Sequence, residues 1–336
     1  MKITSSEISL VVQGAVSYIT KAVLCSLRTT FPDAELILST WEGTNLSDLL
    51  FDKVVLSPDP GAQMADEVAG VLNNVNRQIV STLAGLKVAT KPYILKTRTD
   101  ILVNSSGFLD YFGKYDKNPP CFFRNRLLIC NYYTRNPRIM NICFHPSDWF
   151  LFGNSEDVRM YFEGIPLQDE EAASWFKTHH KNQTLFTNYL SRFTPEQYIF
   201  VNFARRFCEV DIDCYYDFNH KLMRQTEEFF AKCFVVLDYQ TQLDICFTKY
   251  HPNRYLEKHT LVSHQQWYTM YQHYCHIKTK LLRWQVYCFS KWLYCFRFTA
   301  RRVIVNFLTT VGLKEIVKSI LQSASINFEK SQNDKN

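Results

Sequence analysis

Ile8-Ser9-Leu10-Val11-Val12, followed at once by Gln13-Gly14, is the stretch on which the fold turns. A short apolar run closed by a polar residue and a glycine reads as a strand ending in a turn. Working outward, a helix is expected from about Ser17 to Thr29, stopping before Pro32. Glu35–Ser39 reads as a second, buried strand. Lys53–Leu56 is a third, ending at the loop Ser57-Pro58-Asp59-Pro60-Gly61. A long helix, roughly Val68 to Val88, leads to Pro92, and Tyr93–Thr97 is a fourth strand. Short strands separated by helices predict right-handed β-α-β units, hence an α/β fold with a mainly parallel central sheet.

Beyond Asp100 the pattern loosens. Arg126–Ile129 and Trp149–Phe152 read as further strands, with Cys121–Phe123 a weaker one. Helices are expected at Glu156–Phe162, Asp169–Lys177, Asn182–Ser191 and Pro195–Phe207, and from His264 almost to Ser323 with a break near Gly312. No internal repeat and no Gly- or Ser-rich linker divides the chain. The simplest organisation is one catalytic body over 1–262 and a helical C-terminal appendage over 263–336.

Composition narrows the class. With 336 residues, 46% of them hydrophobic and 21% charged, the chain has enough apolar surface for a sizeable core, which excludes a disordered or low-complexity protein. Its 11 cysteines include no C-x-x-C pair. A disulfide framework or four-thiolate zinc site is therefore not expected, and a reducing cytosolic setting is. Met1–Ser9 has no apolar signal-peptide core, and no run of 18 apolar residues forms a simple membrane-spanning helix.

In open parallel sheets ligands bind outside the carboxyl ends of the strands. Four polar clusters fall at those expected ends: Gln13-Gly14, Thr40-Trp41-Glu42, Asp59-Pro60-Gly61 and Lys96-Thr97-Arg98-Thr99-Asp100. No G-x-G-x-x-G or P-loop is present, which argues against ordinary dinucleotide or Walker-type phosphate binding. In the last cluster, alternation puts Lys96, Arg98 and Asp100 on one face. A carboxylate there suits a divalent ion bridging two phosphates, and Lys and Arg suit a leaving diphosphate. The plain alternative is a structural Arg98–Asp100 ion pair.

The helical segment from Asn73 to Thr82 is rich in amides, and Asn73, Asn76 and Arg77 share a face at i, i+3 and i+4. Asn is a poor helix former. The stripe Asn76-Arg77-Gln78 therefore reads either as a ligand-facing surface for a base, ribose or sugar, or as a solvated polar face.

Read together and in order, these segments resemble the WavE lipopolysaccharide-synthesis family. The resemblance rests on Ser9–Gly14, Phe31-Pro32-Asp33 through Thr40-Trp41, Asp59-Pro60-Gly61, Asn76-Arg77-Gln78-Ile79 with Ser81-Thr82, Lys96–Asp100 and Ser147-Asp148-Trp149-Phe150-Leu151-Phe152-Gly153. It covers about residues 8–200. It implies a bacterial surface-glycan glycosyltransferase with a GT-A-like, nucleotide-sugar-binding fold. Such transferases usually carry D-x-D, and Asp100 corresponds to its last Asp while Arg98 stands where the first would be. A Mn2+ or Mg2+ ion at Asp100 is the expectation that this departure weakens, with Arg98 and Lys96 sharing the charge compensation.

On that reading the donor lies across Gln13, Gly14, Thr40, Trp41, Asn76, Arg77, Gln78, Lys96, Arg98 and Asp100. An inverting transfer needs a carboxylate opposite the leaving diphosphate. Asp148, before a short apolar strand and three residues after His145, is the choice, the alternative being a cap or turn role. Asp169-Glu170-Glu171 and Glu196 read as helix-start acids serving the dipole. His179-His180 and His251 lack a second ligand at useful spacing. The acceptor is expected to be a lipopolysaccharide or capsular glycan, or a glycolipid. A sugar-phosphate or nucleotidyl transferase, which needs the same diphosphate-binding parts, and a non-catalytic membrane-surface scaffold are the rival readings.

Charge singles out the tail. Nine basic residues stand against one acid between Tyr271 and Ile320, while the whole chain carries only +6. Eleven aromatics fall between Trp267 and Phe298. No nucleic-acid motif accompanies them. Basic, aromatic and helical, the tail is expected to bring the protein to an anionic membrane surface on the cytosolic face, or to pack its rings against the body.

Overall fold

A computed structural model describes residues 3–66, 70–116, 122–179, 191–248, 260–277 and 281–313. The strands are β1 (Ile8–Gln13), β2 (Glu35–Trp41), β3 (Lys53–Ser57), β4 (Gln63–Asp66), β5 (Val71–Asn73), β6 (Tyr93–Arg98), β7 (Ile101–Val103), β8 (Leu127–Cys130), β9 (Leu151–Asn154), β10 (Phe234–Leu237) and β11 (Ile245–Phe247). Seven of them make one sheet in the order β10-β8-β9-β6-β1-β2-β3. Every neighbouring pair is parallel except the two made by β9, which runs against both β6 and β8. Two antiparallel pairs, β4–β5 and β7–β11, sit apart from it. The α/β class with a mainly parallel, GT-A-like sheet is therefore the architecture observed.

The centre of the sheet is buried because its strands are apolar on both faces: every residue of β1 and β2 is buried. The helix Val75–Val88 covers one face so closely that Gly85 has no room for a side chain; a Cβ there would stand 2.5 Å from Val11 Cγ1. Helix Thr20–Thr30 is tied to the chain around β7, with Ser26 and Thr30 hydroxyls both donating to the Val103 carbonyl. At the amino ends, Glu35 accepts from Ser9 Oγ, Lys53 Nζ and the Thr90 amide and hydroxyl. Burial pushes that carboxyl up, but these partners outweigh it and hold it at about 2.

Several expectations shift. The helix expected from Val68 begins at Val75, and the hairpin β4–β5 precedes it, so Asn73 closes a strand instead of sharing a helical face with Asn76 and Arg77. Asp169–Lys177 is two one-turn helices, Glu170–Ala173 and Trp175–Thr178. Phe122 and Phe123 lie in a bend, not a strand, and Cys121 is outside the described residues. The helix expected at Asn182–Ser191 lies outside them as well, save for Ser191, which stands in a bend.

Residues beyond 262 take part in the main core. In the helix His264–Tyr274, Trp267 and Met270 are fully buried in the main core, and Trp267 Nε1 donates to the Phe230 carbonyl. The long helix Leu281–Thr310 follows. Its Tyr287 hydroxyl lies 3.1 Å from Asn136 Nδ2 and 3.3 Å from Glu227 Oε1, a carboxylate that Arg138 holds with a two-pronged ion pair. No described helix is long and apolar enough to cross a membrane.

Candidate active site at the strand ends

The chain runs β1, β2, β3 to one side and returns to β6 on the other side of β1, so a topological switch lies between β1 and β6. There Gln13 is in register with Arg98. The two strand ends are stitched by Thr99 N–H to the Gln13 carbonyl (3.1 Å) and Thr99 Oγ1 to the Ala15 carbonyl (2.8 Å). Gly14 makes this turn at φ +121°, a conformation strained for any side chain, and Thr99 Oγ1 would crowd a Cβ there at 3.2 Å. The Gln13 side chain is held by its amide oxygen Oε1, which accepts from Ser81 Oγ at 2.7 Å on the covering helix.

Arg98 and Asp100 form the forked ion pair weighed above as an alternative: Nε to Oδ1 at 2.8 Å and Nη2 to Oδ2 at 2.9 Å. The guanidinium carbon also lies 4.4 Å from the centre of the Trp149 ring. Trp149 in turn stacks on Tyr133 at 4.7 Å, and Tyr133 carries Arg135 at 4.8 Å. Because β9 runs antiparallel to β6, its lead-in residues Asp148 and Trp149 arrive at the same end of the sheet as Lys96 and Arg98.

Beneath this layer is a buried polar cluster. Lys96 Nζ donates to the Asp148 carbonyl and lies 3.1 Å from Asp148 Oδ2, both side chains being almost wholly inaccessible. Lys96 is thus engaged by Asp148. Desolvation lowers its pKa, partly offset by the Asp148 charge. Asp148 Oδ1 is buried and has no hydrogen-bond partner among the described residues. Glu196 accepts from Trp149 Nε1 at 3.0 Å, and burial, with the Asp148 charge, pushes its carboxyl up to about 7. His145 Nδ1 donates to the Tyr133 carbonyl at 2.8 Å, and its Nε2 stands 3.8 Å from Glu196. Burial and the nearby Arg135 charge hold that ring at about 3, hence neutral.

The other expected donor residues are placed differently. Asn76 is buried and clasps the backbone of Gln168, donating to its carbonyl at 2.9 Å and accepting from its amide at 2.7 Å. Its amide thereby fastens the chain at Gln168 to the covering helix. Arg77 forks onto Asp59 at 2.7 and 2.6 Å, both side chains remaining about one-third exposed. Gln78 Oε1 is buried with no partner among the described residues. Ser39 meets the covering helix through Ser81, so Thr40, its neighbour in β2, points to the opposite face from Gln13 and Arg98. Trp41 is buried at the end of β2.

Glu196 is the group that sequence reasoning passed over. An acid just after Pro195 ordinarily serves the helix start, but here Thr194 and Gln197 cap the helix reciprocally and leave Glu196 turned inward to Trp149. Only the capping pair Thr194…Gln197, which makes a second acid redundant, hinted at this in the sequence.

Asp100 does not fit as a protein-held divalent-cation site. Both of its oxygens are engaged by Arg98, and the one group of three close metal-type ligands among the described residues, Asp213, Cys214 and Asp217, does not include it.

A mainly parallel sheet gathers cationic and carboxylate side chains at its switch point, the position at which open α/β sheets bind their ligands. The family model described as WavE lipopolysaccharide synthesis matches residues 8–301, and the chain belongs to that family. No curated protein matches it.

Proposed function

We propose that the protein is a glycosyltransferase moving a sugar from a nucleotide-diphosphate sugar to a lipopolysaccharide or capsular glycan acceptor. Membership of the lipopolysaccharide-synthesis family supports the pathway. The observation that carries the donor site is Arg98, lying over the Trp149 ring and forked to Asp100, beside Gln13 and Gly14 at the β1/β6 switch. A guanidinium offers planar, two-pronged recognition of a diphosphate, with the diphosphate taking the place of Asp100 on the Nε–Nη2 edge. Arg77, partly exposed, supplies a second cation nearby on the covering helix.

The acid–base role is assigned to the buried pair Asp148 and Glu196. Lys96 binds one oxygen of Asp148 and leaves Oδ1 to take a proton from an acceptor hydroxyl. Glu196, pushed up to about 7, is poised to hold or release a proton near neutrality.

A titration of UDP-, GDP- and CMP-sugars, each with and without Mn2+ or Mg2+, tests the reading. One nucleotide-diphosphate sugar is expected to bind, and a labelled donor to release the free nucleotide diphosphate with transfer of the sugar. If the folded protein binds none of them, the reading fails. Release of a nucleoside monophosphate would point instead to sugar-phosphate transfer.

A further inference from the structure

The helix Leu281–Thr310 has two faces of opposite character. Trp284, Tyr287 and Lys291 turn inward: Trp284 stacks on His273 at 3.7 Å, Tyr287 and Lys291 are buried, and burial pushes the Lys291 ammonium down to about 8. On the other side Val286, Phe289, Trp292, Leu293, Phe296, Val303, Ile304 and Phe307 are each 48–65% exposed. At 100° per residue these eight fall within an arc of about 120°, opposite the docked face. Scattered exposed apolar residues need no explanation, but a continuous stripe of this length with two Phe and a Trp at its centre does. The aromatics counted in the sequence therefore divide: Trp267, Tyr271, Trp284 and Tyr287 pack inward, while Phe289, Trp292 and Phe296 face out.

We infer that this outer stripe docks on the surface of an anionic phospholipid bilayer. Charge selects the occupant. The segment 281–310 contains Arg283, Lys291, Arg297, Arg301 and Arg302 and no acidic residue. Lys291 turns inward, but the segment's four arginines would leave a second copy laid against the same stripe with no acid to answer them, whereas an anionic bilayer complements them. Trp and Phe suit the boundary between headgroups and acyl chains. The helix lies along the surface and does not cross, since it is not apolar enough to span. The inference does not depend on the nucleotide-sugar site and is tested without it.

Vesicle cosedimentation of the full chain decides the matter. Vesicles of phosphatidylcholine with phosphatidylglycerol are expected to capture at least tenfold more protein than phosphatidylcholine alone, with capture falling in high salt. Truncation at residue 262 is unsuitable because it removes the core residue Trp267. The double substitution Phe289→Ser with Phe296→Ser alters only exposed positions; an unchanged melting temperature is expected alongside at least a tenfold loss of capture. Equal capture of variant and parent, or no capture of the parent, overturns the inference. So does a concentration-dependent dimer in light scattering that the double variant abolishes without any vesicle binding by the parent.

Discussion

The Lys96 ammonium meets the Asp148 carboxylate at 3.1 Å across β6 and the lead-in to the antiparallel β9. Both groups are removed from water, so each is tolerated only because of the other. Two strands running in opposite directions are thereby locked at one end by charge as well as by their backbone ladder.

Lys96→Met is therefore expected to destabilise the fold by about 3–5 kcal/mol, because it strands a buried carboxylate. Lys96→Met combined with Asp148→Leu is expected to cost clearly less than the two single changes summed. Urea denaturation of the three variants measures the coupling, and simple additivity would show that the pair does not act as a unit.

Glu196 gives a pH signature of defined sign. Its carboxyl titrates at about 7 in the folded chain against 4.5 as the ordinary value. Between those values the folded chain keeps a proton that the unfolded chain gives up, so this group's contribution to stability falls as pH rises, by at most about 1.4 kcal/mol per pH unit. His145, held at about 3 against 6.5, acts oppositely, adding stability as pH rises from 3 to 6.5. The readout is thus the difference between parent and Glu196→Gln in urea midpoint at pH 5 and pH 7. The parent is expected to lose its advantage over the variant at the higher pH.

Asn76→Ala separates a fastening role from a binding role. Loss of both contacts to the Gln168 backbone leaves that buried amide without its acceptor and is expected to cost about 1–3 kcal/mol. Nucleotide-sugar affinity is expected to stay within twofold, by calorimetry. A collapse of affinity at full stability would return Asn76 to the ligand site.

Arg98→Lys keeps the charge but loses the fork to Asp100 and the guanidinium's place over the Trp149 ring. Removal of one charge-assisted interaction of about 1.5–3 kcal/mol is expected to weaken donor binding roughly ten- to a hundredfold. Calorimetry on the folded variant measures this, and unchanged affinity would place the diphosphate elsewhere.

How far the sequence spoke depends on burial. β1, β2, β3 and β6 were legible because strands in a parallel sheet read as short apolar runs stopped by turn residues. The hairpin β4–β5 was not, because Val71 and Leu72 continue into the helical pattern of Val75–Val88 with no breaker after Gly70. β10 begins at Phe234 directly after the helix His220–Cys233, so no punctuation separated the two. Gln13, Gly14, Arg98, Asp100 and Asp148 came together at one sheet end as strand-end reasoning anticipates. Lys96 and Asn76 show what the sequence does not carry: residue type and alternation give a face, but not whether a partner from a distant segment has already taken the side chain.

Gly85 gives the site its gauge. Where the helix Val75–Val88 crosses β1, a single added carbon would stand 2.5 Å from Val11 Cγ1 and 3.1 Å from Ser39 Cβ. With hydrogen there instead, the helix comes to its closest approach, and Ser81, one turn earlier, reaches the Gln13 amide. A larger residue at position 85 would lever the whole helix outward, drawing Ser81 off Gln13 and swinging Arg77 away from the strand ends. The distance across which a ligand would be gripped is thus set by an atom the chain leaves out.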